Sequence, residues 1–401
     1  MIPFDEALQL VLEQARPLPS ESVPVLGALG RVLREDLQAR HPIPPFDRSA
    51  MDGYAVRAED VATASEERPA VLQVLEDVPA GRRAKKPVGP GQAVRIMTGA
   101  ALPPGADAVV MVEFTKAEGQ AVKVLKPVPP GENLVLAGED VEAGQVVVAA
   151  GAVIGPAEMG MLAAVGKNKV KVSRRPRVAV ISTGDEIVEP GKTMKPGQIR
   201  DANGYSLFGM ARAAGAEARF LGIARDTKSQ LLARLRRAQG FDLVVLSGGV
   251  SVGDYDLVQD ILLGRGVKQI FWKVAIKPGM PIFVGRRGRQ VVFGLPGNPV
   301  SCLVTFGLFV QPLLDAMQGK RQVGLLRGRA RLAADVKVKT GRRHFLRGVL
   351  AFQDLEPRVT VLRDQHSGVL RSMVEANVLV DVPADSTGRP AGTEVEVWHL
   401  A

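Results

Sequence analysis

Cysteine is almost missing from this chain: Cys302 is the only one in 401 residues. A single thiol excludes an internal disulfide framework and fits a reducing compartment, the cytoplasm. It sits in the apolar run "PVSCLVTFGLF", where the expected role is buried packing, not nucleophilic attack. Aromatic residues are also scarce, at 4%. No helix-turn-helix, RNP-type or zinc-finger pattern occurs, and the basic residues are scattered in short pairs such as Arg82-Arg83, Lys85-Lys86 and Arg342-Arg343. A nucleic-acid partner is therefore disfavoured. No apolar run is expected to reach the roughly 20 residues that cross a bilayer. The first residues, "MIPFDEALQLVLEQARPL", carry Asp5 and Glu6 where a secretory signal would carry lysines. The four histidines, at 41, 344, 366 and 399, are too scattered for a zinc site.

What the chain does have is positive charge, glycine and length. Lys and Arg number 52 against 42 Asp and Glu, a net charge of +10, which a small and highly anionic ligand would explain. The length implies about two to four domains. Phe4, Ala7, Leu8, Val11, Leu12 and Ala15 recur at helical spacing and predict an amphipathic helix ending before Pro17. From about residue 178, strands and helices alternate: "RPRVAVISTGDEIV", a helix closed by Gly215, a strand near Phe220, and a helix capped by Thr227 or Asp226 and stopped by Gly240. The strands "DLVVLSG", "QIFWKVAI", "PIFVG" and "QVVFGLPG" follow, then a long helix after Pro299. Apolar strands alternating with helices predict a mostly parallel α/β sheet. Beyond residue 319 the period shifts to two, predicting a separate small β domain. Residues 45–140 hold short β-like pieces broken by glycine and proline.

In parallel sheets, ligands sit beyond the carboxyl ends of the strands, and there the chemistry-bearing loops lie. "STGDE" supplies Asp185 and Glu186, and "ARDT" supplies Asp226, which is either a helix cap or a functional acid. "SGGVSVGDYD" combines Gly248, Gly249 and Ser251 with Asp254 and Asp256. Carboxylates of this kind beside phosphate-binding lysines suggest either a divalent cation, usually Mg²⁺, held partly by the substrate's own phosphates, or hydrogen bonding to a pterin or ribose. Lys273 and Lys277, evenly spaced in "FWKVAIKPGMP", are expected on one face of one strand. There they either hold an anion between them or are solvated edge lysines, the apolar neighbours Phe271, Val274 and Ile276 favouring the anion. "GLPGNPVS", with Pro296, Asn298 and Pro299, is either a loop that turns N–H groups toward a phosphate or an ordinary strand-to-helix turn. "PPFDRSAMDGYAV" holds Asp47, Ser49 and Asp52, "RIMTGAALPPGADAVVMVE" adds Thr98, and "GENLVLAGEDV" adds Asp140. Arg347 and Ser367 from the β domain are an oxyanion clasp or surface residues.

These stretches, six of them in the same order over almost the whole chain, resemble the MoeA/gephyrin C-terminal family of molybdopterin molybdenumtransferases. The resemblance implies a four-domain subunit: 1–44 plus 141–172 as an elongated discontinuous domain, 45–140 inserted into it, 173–319 as a MogA-like α/β domain, and 320–401 as a C-terminal β-barrel. It implies a cytoplasmic homodimer whose active site lies between the α/β domain of one subunit and the β domain of the other. The implied reaction takes adenylylated molybdopterin and molybdate, with Mg²⁺, to molybdenum cofactor and AMP. A molybdopterin adenylyltransferase would act upstream.

By motif, Lys273 and Lys277 would hold phosphate or molybdate oxygens, and Arg347 and Ser367 would contact molybdate. Glu186, Asp226 and Asp256, with Asp52, Thr98 and Asp140, would position Mg²⁺, nucleotide or water, the metal falling to Glu186 and Asp256. Met280 stands where many relatives place a further lysine. The rival readings are a MogA-like adenylyltransferase or other nucleotide-processing enzyme, and a non-catalytic scaffold of the gephyrin kind.

Overall fold

The structure, a computed structural model, describes residues 1–249 and 257–400. Two stretches far apart in sequence meet first. Strand Ser20–Pro24 pairs antiparallel with Lys169–Ser173, and Leu37–Gln38 pairs with Val146–Val148. Isolated bridges join Val32 to Val153 and Leu33 to Val172. Helix Pro156–Ala164 closes a small core of Leu33, Leu37, Ile154, Leu162 and Val172. Between these stretches lies a six-stranded sheet with Gly53–Val56 and Gln92–Ile96 near its centre. Successive side chains there point to opposite faces, and each face is covered: Tyr54 and Val56 join one core, Ala55 the other.

The central sheet runs in the order Glu217–Ala224, Arg177–Thr183, Leu243–Ser247, Gln290–Leu295, Phe283–Arg287, Lys268–Trp272. Five strands share one direction, and Phe283–Arg287 alone opposes them. The apolar runs are explained by two-sided burial: Val178, Val180, Val245 and Phe293 face one core, while Ala179, Ile181, Val244 and Val292 face the other.

The first core extends beyond this sheet. Helix Phe4–Leu12 packs into it with the long helix and with Phe345, Leu379 and Trp398 of the C-terminal region. The sequence grouped this first helix with 1–44, but its apolar stripe finds its partners on the central sheet and the barrel. C-terminally, strands Arg343–Gln353, Glu356–Val361, Arg327–Leu332, Glu394–His399 and Val378–Val382 close into a ring of five, because Val378–Val382 also pairs with Arg343–Gln353.

The long helix corrects one expectation. Pro299–Gln318 is long and apolar enough to cross a membrane, yet 83% of its apolar window is buried within the protein, as in a core helix. Its middle, Phe306–Val310, widens to a π-helix. Pro312 lies just beyond, lacks an N–H, and would press its ring on the Leu308 carbonyl in a regular helix, which accounts for the widening.

Candidate functional site

A cavity of about 1290 Å³ opens where the strand ends meet the barrel. Loops after four parallel strands contribute to its wall: Gly184 and Glu186, Asp226, Gly248 and Gly249, and Pro296 to Pro299. From the other side come Lys277, Arg342, Gln365, His366 and Ser367. The wall carries both signs of charge. Glu186, Asp201 and Asp226 stand on the α/β side with Arg200 beside them, and Lys277 and Arg342 toward the barrel.

The α/β loops are tied to one another. The Asp226 N–H donates to Asp185 Oδ1 at 3.1 Å, and the Asp185 N–H donates to Asp226 Oδ2 at 3.3 Å. Arg225 reinforces the clip by donating to the Asp185 and Ile187 carbonyls. Asp226 is thus no helix cap. Thr227 occupies that position, without a side-chain capping bond. Gly249 has φ 68°, and a Cβ there would fall 2.3 Å from a Val258 methyl, so the close turn requires glycine. Asn203 bridges two strand ends, donating to Ser247 Oγ and to the Gly297 carbonyl at 2.7 Å each. Ser247 Oγ in turn accepts from the buried Cys302 thiol at 3.7 Å. Burial pushes that thiol's pKa up to about 12, so it stays protonated and packs, as its apolar setting implied.

The barrel side is equally fixed. Arg347 is fully buried and donates to the Asp364 and His366 carbonyls at 2.9 and 3.3 Å. Burial lowers its pKa, which the Asp364 carboxylate partly offsets. Its guanidinium lies behind the loop that reaches the cavity and is not itself part of the wall. Ser367 is on the wall, but its hydroxyl accepts from Asn298 at 2.9 Å and its carbonyl takes the Val300 N–H at 3.1 Å. The first N–H of the long helix is therefore already used, and "GLPGNPVS" docks the barrel as well as lining the cavity.

One further expectation is corrected. Lys273 and Lys277 do not share a strand face. The strand ends at Trp272, and Lys273 turns to φ 65°, its ammonium 3.7 Å over the Trp272 ring. Lys277 belongs to a separate two-residue strand, Ile276–Lys277, which pairs in parallel with the barrel at Arg343 and His344. The β-domain residues that line this wall belong to the same chain.

Asp52 and Thr98 do meet: Asp52 Oδ1 accepts from the Thr98 N–H and Oγ1 at 2.7 Å each. These bonds, the backbone one foremost, lower the Asp52 pKa. Both lie in the inserted domain, and with the exposed Asp140 they are absent from this cavity's wall. Ser251, Asp254 and Asp256 lie outside the described residues. Sequence reasoning missed Asp201, Asn203, Arg342 and His366. "IRDAN", two polar residues where a strand end gives way to a helix, was the available signal for the first pair.

Three family models match in order: the MoeA N-terminal region (domain I and II) over 2–166, a probable molybdopterin binding domain over 179–316, and the MoeA C-terminal region (domain IV) over 329–400. The chain is 40% identical to molybdopterin molybdenumtransferase 2 of Mycobacterium tuberculosis, with 98% of each chain covered. This protein belongs to the molybdopterin molybdenumtransferase family. Its Bacillus subtilis relative is 36% identical, covering 99% of this chain and 93% of that one. The crystal structure of a molybdopterin biosynthesis MoeA protein from Pyrococcus horikoshii superposes with a TM-score of 0.86 at 36% identity over the full length of both chains. The multidomain architecture, with its MogA-like centre and closed barrel, is thus that of the molybdenumtransferase family, and the cavity lies between the segments matched as the molybdopterin-binding domain and domain IV.

Proposed function

We propose that this enzyme inserts molybdate into adenylylated molybdopterin, releasing AMP and the molybdenum cofactor. The observation that carries this reading is the cavity at the strand ends, walled by carboxylates and by Lys277 and Arg342, in a chain aligned end to end with molybdenumtransferases. Lys277 and the helix-start loop would neutralise phosphate and molybdate oxygens, while glycines 248 and 249 let the substrate approach the backbone. Glu186 and Asp226 present exposed carboxylates on one wall, a donor set that suits a Mg²⁺ ion sharing its shell with substrate phosphates. Glu186, with Asp226 and Asp256, would hold that ion, which when bound would supply charge neutralisation at the pyrophosphate. The protein's own part is to position and to balance charge.

In this reading two subunits associate, and the exposed Asp52–Thr98 pair and Asp140 serve a site other than the one their own chain walls. Arg347 acts by holding the 364–367 loop in place. An adenylyltransferase supplies the substrate, and the cytoplasm keeps Cys302 reduced. Lys277→Ala and Glu186→Ala are each expected to lower AMP release from adenylylated molybdopterin by about 10²-fold or more. Wild-type release rates in both variants would refute the assignment.

A further inference from the structure

Arg342 is a half-buried cation on the cavity wall. Among the described residues it has no ion-pair partner, in contrast to its neighbour Arg343, which is held between Asp5 and Asp381. Its placement follows from the strand that joins sheet to barrel. Ile276 pairs with Arg343, and Lys277 with His344. Arg342 lies just before this ladder, in the bend that leads into strand Arg343–Gln353, and it lines the same cavity wall as Lys277.

His344 gives independent support for this placement. Its side chain is buried, and its Nε2–H donates to the Lys339 carbonyl at 2.9 Å. Burial lowers its pKa, and the charges of Lys277 and Arg342 lower it further, so both cations lie close enough to be felt at one imidazole. Two cations so placed repel, and a shared anion between them removes that repulsion.

We propose that Arg342 is an oxyanion-binding residue of this cavity, forming with Lys277 a two-cation seat for a tetrahedral oxyanion. The planar guanidinium offers paired N–H donors to two oxygens of such an ion, and the Lys277 ammonium supplies a point charge from the adjoining strand. Phosphate and molybdate share this chemistry. The inference rests on the molybdenumtransferase reading for the source of its ligand and specifies which side chains receive it.

Titration calorimetry on the full-length protein with molybdate and with AMP, at fixed ionic strength, tests the seat. Arg342→Gln is expected to weaken binding of at least one probe by about tenfold. Arg342→Lys should recover part of the loss, and Arg342→Glu should remove binding of that probe. Loss for molybdate alone assigns the seat to the incoming metal oxyanion. Loss for AMP alone assigns it to the nucleotide phosphate. Wild-type affinity for both probes in Arg342→Gln, or in Arg342→Glu should the first fail to fold, overturns the proposal. A wild-type protein that binds neither anion would instead defeat the functional reading itself.

Discussion

Asp52 shows how a single side chain's chemistry is set by what it accepts. Its two hydrogen bonds come from one threonine, and only one of them needs the hydroxyl. Thr98→Val should therefore raise the Asp52 pKa only part of the way toward an ordinary carboxylate, as followed by carboxyl NMR titration. His344 works in the opposite sense to a salt-bridged histidine. Its folded pKa is lowered, so the unfolded chain binds a proton at pH values where the folded protein does not. Stability should then fall as pH drops through about 6.5 and keep falling until the folded imidazole is protonated. Denaturant midpoints across this range should show that slope, and His344→Gln should flatten it. Residues such as Glu186 and Asp226 were legible because strand-end position is written in local pattern. The expected lysine pair failed because nothing in "FWKVAIK" announces that Lys273 leaves the strand at positive φ.

At the scale of elements, the strand periodicity was the most readable feature, since alternate residues feed two separate cores and both must be apolar. The loops were readable as glycine-rich connections, but their ties to each other were not. That "GLPGNPVS" both starts the long helix and grips the barrel loop depends on tertiary contact between Asn298, Val300 and Ser367. The Asn298–Ser367 bond is a side-chain link across this junction. A double-mutant cycle with Asn298→Ala and Ser367→Ala should give a coupling of about 0.5–1.5 kcal/mol in unfolding free energy. Strictly additive single effects would mean that the two loops are held by other contacts. The membrane-length helix belongs to the same lesson. Its apolarity answers a thick protein core, and composition alone does not separate that from lipid.

For the whole molecule, the first helix matters more than its terminal position suggests. Phe4 packs with Phe345, Trp398 and Phe309 at ring-centre distances of 5.1, 5.7 and 5.5 Å, joining barrel and long helix in one core. Phe4→Ala should cost about 3–5 kcal/mol. Denaturation in a Trp272→Phe background, followed by the fluorescence of the remaining Trp398 and by far-ultraviolet circular dichroism, should show the barrel loosening first. The fold class could be read from alternation and period, whereas the apposition of Lys277 and Arg342 with Glu186 and Asp226 across one cavity needed the three-dimensional junction. That apposition is the basis of the functional account, and AMP production tests it most directly. The purified protein should release AMP from adenylylated molybdopterin only when molybdate is added, and should form no adenylylated product from molybdopterin and ATP. Adenylylation from ATP, or AMP release indifferent to molybdate, would contradict it.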